Sequence, residues 1–153
     1  QVLHFIPPAP GQFQKLLEVM YALQSQPIEP DYRRALVFLK AQQKKRALTV
    51  LFTDLSGQRA SDALASALPR LAPQHLPLLV TIRDPALDQE AKQHPLNSDA
   101  VYRRGVAEKL LDERRLLLDT LGRQGVLTLD IDAQHLSMSV VNRYLQLKRQ
   151  ALL

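Results

Sequence analysis

Arg46-Ala-Leu-Thr-Val-Leu-Phe-Thr-Asp-Leu55 decides the fold. From Ala47 to Thr53 the run is apolar and β-branched without alternation, which is how a strand covered on both faces reads. Leu76-Pro-Leu-Leu-Val-Thr-Ile82 has the same character, and Val126-Leu-Thr-Leu-Asp-Ile131 is a third short apolar run. Segments of helical period separate them. Leu64, Ala67, Leu68 and Leu71 fill the first gap, and Leu110, Leu111, Leu117, Leu118 and Leu121 fill the second, with Gly122 expected as the helix C-cap. Strand and helix in alternation predict an α/β fold. It should have three layers, with 47–53, 76–82 and 126–131 as adjacent strands of a mostly parallel, Rossmann-like sheet, helices on both faces and right-handed crossovers.

Upstream, Val2 to Ile6 suits a short strand closed by Pro7-Pro8 and Pro10-Gly11. Phe13, Leu16, Leu17, Met20 and Leu23 then recur at helical spacing, and Pro27 and Pro30 end that helix. Asp31 stands where an N-cap would accept a backbone amide from a helix carrying Tyr32, Ala35, Leu36 and Leu39. Lys44-Lys45-Arg46 follows at its far end, where cations complement the macrodipole. A last helix carries Leu136, Val140, Tyr144 and Leu147.

With 153 residues, 46% hydrophobic and 23% charged, the chain can hide enough surface to fold as one domain spanning 1–153. The absence of cysteine excludes disulfide frameworks, thiolate zinc sites and thiol catalysis. No stretch approaches the ~20 apolar residues of a membrane span, so no membrane contact is expected of this segment. His4, His75, His94 and His135 show no metal-binding spacing. No phosphate loop, dinucleotide fingerprint or nucleophile elbow is present. A net charge of +5 invites an anionic partner. The arginines of 97–121, however, alternate with Glu108, Asp112, Glu113 and Asp119 and lack interleaved aromatics, which favours a salt-bridged solvent face over nucleic acid.

In open α/β sheets, ligands gather outside the carboxyl ends of strands. Asp54 follows the first run, Arg83-Asp84 the second, and Asp130 with Asp132 the third. With the hydroxyls of Thr53 and Ser56, such carboxylates are hard oxygen ligands suited to magnesium or calcium. Asp84-Pro85 equally spells the start of a helix.

Taken in order, these motifs resemble a known family. Arg46 to Leu55 is similar to the central strand and following aspartate of a von Willebrand factor A-like domain. Phe5-Ile-Pro-Pro8, Glu29-Pro-Asp-Tyr-Arg-Arg-Ala-Leu36, Leu79-Val-Thr-Ile-Arg-Asp-Pro85, Val101-Tyr-Arg-Arg104, Leu110-Leu-Asp-Glu-Arg114 and Val141-Asn-Arg-Tyr-Leu-Gln-Leu-Lys148 resemble the MoxR-associated proteins called domain of unknown function 58. The resemblance implies a degenerate adhesion-type metal site at Asp54, Asp31 and Ser56, with Asp31 where a threonine is usual. The Asp-x-Ser-x-Ser loop is absent: Asp54-Leu-Ser-Gly-Gln58 departs at Gln58. That motif's strand would lie upstream of Gln1, leaving this chain as the carboxyl-terminal part of the domain with an exposed or unusually paired sheet edge. The resemblance further implies a bacterial, non-enzymatic accessory partner of a MoxR-type AAA+ ATPase, working in assembly or maturation of other proteins. Its parent chain would be anchored in the inner membrane with this part on the cytoplasmic face, and Asp54, Arg83 and Asp84 would meet the partner. The competing readings are a metal-dependent hydrolase using Asp54 with Asp84 or Asp130 and, more remotely, a nucleic-acid-binding domain.

Overall fold

The computed structural model describes residues 6, 9–24, 27–28, 30–55 and 58–152, the side chain of Gln58 excepted. The strand read at Val2 to Ile6, apart from Ile6 itself, and the candidate ligand Ser56 lie outside those residues.

Three strands form one sheet: β1 (Leu48–Thr53), β2 (Leu76–Arg83) and β3 (Leu127–Asp132). They lie in the order β1-β2-β3, all parallel, each within a residue or so of its apolar run. The register sets Leu51 beside Leu79, Leu79 beside Thr128 and Thr81 beside Asp130. The chain is thus α/β with a parallel sheet, in keeping with a Rossmann-like layout. Among the described residues β1 and β3 each pair with β2 alone, and Phe52 on β1 is 53% exposed.

Six helices are described: α1 (Gln12–Tyr21), α2 (Tyr32–Gln42), α3 (Gln58–Ala67), α4 (Pro85–Lys92), α5 (Ser98–Arg123) and α6 (Leu136–Arg149). Three of the starts are capped by a side chain. Asp31 caps α2 by accepting from the Arg34 amide at 2.9 Å, as expected. Asp84 caps α4 through the Ala86 amide at 2.9 Å with Pro85 in the first turn, and Asn97 caps α5 through Ala100 at 2.8 Å. After α3 the chain tightens into a 3-10 turn over Leu68–Leu71, where Pro69 supplies no amide for an α-helical bond.

The end of α5 differs from the expectation. Gly122 remains helical, and the reversal falls at Gly125, whose φ is +85°. Val126 donates to the Leu121 carbonyl at 3.1 Å and Gly125 to the Gly122 carbonyl at 3.2 Å. This is a Schellman cap in which only Gly125 needs the left-handed conformation.

The main core joins Leu36 of α2, Ala67 at the end of α3, Leu68 and Leu71 of the turn after it, Leu79 of β2, Leu121 of α5 and Val126. Because α3 touches α5, the two crossover helices share one face of the sheet, as crossovers of one hand stepping in one direction require. Period two puts Leu78 and Val80 on the opposite face from Leu79. Both have no exposure, so that face is covered too. We place α6 there: it packs on β3, and its Leu147 is buried outside the main core. By contrast α1 buries nothing, and Phe13, Leu16, Leu17 and Met20 stay exposed.

With 26 residues, α5 is about 39 Å long, well beyond the span of the strands. Its last ten residues, 114–123, cross the sheet. The rest, residues 98–113, runs past the carboxyl ends of the strands and pairs with α4 as a helical hairpin.

Candidate functional site

The carboxyl ends of the strands converge on one carboxylate. Thr81 and Asp130 are register partners on the face that α5 covers, and the Thr81 hydroxyl donates to Asp130 Oδ1 at 2.8 Å. Arg114 Nη2 donates to the same oxygen at 2.7 Å, and Arg83 Nη2 reaches Oδ2 at 3.4 Å. Arg114 also donates to backbone: Nη2 to the Ile82 carbonyl and Nη1 to the Asp54 carbonyl, both at 3.0 Å. One guanidinium therefore holds the ends of all three strands together.

The electrostatics follow from this arrangement. Burial pushes the Asp130 carboxyl up. The hydrogen bonds from Arg114 and Thr81 and the charges of Arg114 and Arg83 outweigh burial, so the group ends below the usual carboxylate range. With both oxygens engaged by donors, Asp130 is a structural anion rather than a general base.

Beside it, Tyr32 and Thr53 share a hydrogen bond of 2.9 Å that ties the start of α2 to the end of β1. Asp31 and Asp54 are each one residue from that bond, which brings these two candidates to the same corner. Between them and α5 the chain turns at Leu55, whose φ of +55° is unusual for leucine and whose amide donates to Thr53 Oγ1 at 3.3 Å. A cleft of about 270 Å³ opens alongside, between Ser61, Asp62 and Ala65 of α3 and Leu110, Glu113 and Leu117 of α5.

Of the expected site residues, Asp54 and Arg83 stand at this edge, with Asp54 exposed. The Asp31 and Asp84 carboxylates each cap a helix. Among the described residues no three His, Cys, Asp or Glu side chains form a group that could hold a metal ion.

Arg114 corrects the sequence reading. Arg103, Arg104 and Lys109 do pair with Glu90, Glu108 and Glu113 on the solvent side of the hairpin, but Arg114 points inward and its side chain is only 15% exposed. The signal was present: Arg114 precedes Leu117, Leu118 and Leu121 by three, four and seven residues, the phase of the buried face.

Comparison of the chain with protein-family models, curated proteins and solved structures finds no significant match.

Proposed function

We propose that the chain is the carboxyl-terminal part of a von Willebrand factor A-like domain of the MoxR-associated type and serves as a non-enzymatic interaction module. In this reading a MoxR-type AAA+ ATPase recognises the carboxyl edge of the sheet, at Asp54, Arg83 and Asp84, on the cytoplasmic face of a bacterial inner membrane. The degenerate metal corner of Asp54, Asp31 and Ser56 belongs to the same surface.

One observation carries the reading over the hydrolase alternative. At the strand ends, where a hydrolase would keep carboxylates available for a metal or a water, Asp130 is saturated by Arg83, Arg114 and Thr81, and Asp84 caps a helix. What the edge offers instead is a fixed polar rim below a projecting hairpin. Tyr102, Val106 and Leu110 lie at helical spacing on it and stay exposed, as on a surface that meets another protein.

The test is co-purification of the complete protein with the ATPase. Asp54→Ala and Arg83→Ala should each weaken it at an unchanged melting temperature, because the Arg83 side chain is 41% exposed and its pair at 3.4 Å adds little to stability. Unaltered co-purification in both variants would move the contact elsewhere. Phosphoester hydrolysis abolished by Asp54→Ala would restore the enzyme reading.

A further inference from the structure

The fold sorts charge in a way the linear sequence conceals. In a parallel α/β unit, helices that cross the sheet run against the strands, so their C-termini collect at the strands' amino ends. Lys40 lies in the last turn of α2 and Arg123 in the last turn of α5. Lys148 and Arg149 close α6, which starts just after β3 and spans about 21 Å back along the sheet. Arg70 sits in the 3-10 turn that leads toward β2, and Lys44, Lys45 and Arg46 precede β1. All eight are exposed, and among the described residues none of them forms an ion pair.

Among the described residues the helices that end here bring no acid to this edge. α2 and α6 contain no Asp or Glu, the one acid of α3, Asp62, lies in its first half, and on α5 Asp119 stops a full turn short of Arg123. Asp54 and Asp84 follow β1 and β2, and Asp130 and Asp132 stand in the last three residues of β3, so all four lie at the opposite edge. The molecule is an oriented charge dipole, with a cationic face at the amino edge.

We infer that this amino-edge face docks electrostatically on an anionic phospholipid bilayer. Charge complementarity favours an anionic partner, and the makeup of the face selects among anionic partners. Among the described residues Tyr144, one turn before Lys148 on α6, is the exposed aromatic nearest these cations, and a single ring does not make the succession of stacking platforms that a nucleic-acid strand uses. The helix ends that frame it present carbonyl groups, which oppose a phosphate held tightly against the backbone, whereas long Lys and Arg side chains reach past them to a diffuse negative surface. The face's exposed apolar side chains, Leu145 and Leu152 at the end of α6, are few beside the eight cations, so charge rather than an apolar hot spot dominates it. A polybasic cluster of this size is what anionic lipid attracts. The inference departs from the absence of membrane contact expected from the linear sequence, and it is independent of the ATPase reading, whose surface is the opposite edge.

The test is co-sedimentation of the protein with vesicles of phosphatidylcholine alone and of phosphatidylcholine mixed with phosphatidylglycerol, over a salt series. Binding is expected to the mixed vesicles only, weakening as salt rises. Two double reversals change net charge equally at opposite ends: Lys44→Glu/Lys45→Glu on the basic face and Arg33→Glu/Arg34→Glu at the start of α2. All four positions are exposed, so both variants should fold, checked by circular dichroism. At roughly fivefold per unit charge, the first should lose at least about a hundredfold in partitioning, while the second keeps most of it. Equal losses in both variants, equal binding to neutral vesicles or no binding to mixed ones would each overturn the inference. Binding of duplex DNA more tightly than mixed vesicles would reassign the face to nucleic acid.

Discussion

Removing the guanidinium at Arg114 should loosen the whole carboxyl edge. Arg114→Met keeps the apolar stem and deletes the bonds to the Asp54 carbonyl, the Ile82 carbonyl and Asp130. Each carbonyl bond is worth about 0.5–1.5 kcal/mol net. Taking one partner from a fully buried ion pair costs about 3–5 kcal/mol, less here because Asp130 keeps Thr81 and Arg83. The buried Arg114 Nε, which has no hydrogen-bond partner among the described residues, works the other way, since its desolvation cost vanishes with the side chain. The balance is a loss of about 3 kcal/mol near pH 7, or about 6–12 °C in Tm for a domain of this size. Urea unfolding would measure it, and its pH dependence identifies the cause. In the native protein Asp130 titrates below its unfolded value, so its stabilisation is present above the unfolded carboxylate pKa of about 4 and is lost as pH falls through the native one. Without Arg114, the upward push of burial is less opposed, and the carboxylate contributes less at neutral pH. The gap between the two proteins should therefore be wide at pH 7 and shrink toward pH 3. A gap under about 0.5 kcal/mol, or one equal at both pH values, would refute the clamp.

Other outcomes test separate parts of the fold. Gly125→Ala should destabilise by about 1 kcal/mol from its positive φ alone, since the added methyl meets Ala72 at an ordinary 3.5 Å. Gly122→Ala, helical and with nothing within 4 Å, should raise stability by about 0.5–1 kcal/mol; thermal melts of the pair with the same sign would contradict the cap. His75 is 1% exposed and among the described residues both ring nitrogens are without partners, so His75→Leu should stabilise by about 1–2 kcal/mol, and a comparable loss would mean that those nitrogens are satisfied. Calorimetric titration with magnesium, calcium and manganese should show no micromolar binding; binding abolished by Asp54→Ala would make Asp54 a ligand and Asp31 a working substitute for the usual threonine.

The sheet was legible in the sequence because its determinants are local: continuous apolar runs mark doubly covered strands, and the gaps carry helical period. Helix starts were equally legible at Asp31 and at Asp84-Pro85, where an acceptor side chain sits next to the amides it caps. The end of α5 was misread because a Gly in a helix and a Gly in a cap look alike until the two residues that separate Gly122 from Gly125 are placed. Exposure of the α1 apolar face was not legible at all, since periodicity says which residues share a side and nothing about whether anything lies against it.

The site divides along the same line. Asp54, Arg83, Asp84 and Asp130 could be named from chain position, because every parallel strand delivers its next residue to the same edge. What they do there depends on register and on helical phase together. Asp130 needs β3 in register with β2 to meet Thr81, and it needs α5 turned so that position 114 shares the buried stripe of Leu117 and Leu121. Interleaved acids along 97–121 argued for a solvated face, and for Arg103, Arg104 and Lys109 that rule holds, because those side chains have water on one side and a glutamate on the other. At Arg114 the angular position overrides the local charge pattern. A guanidinium in that stripe can neither reach water nor remain unpaired, and the strand ends supply two carbonyls and a carboxylate to receive it. The same antiparallel run of helix against strand that carries Arg114 to the carboxyl edge carries Arg123 to the amino edge. Acidic clamp and basic face are thus two consequences of one topology, and neither can be read from charge order along the chain.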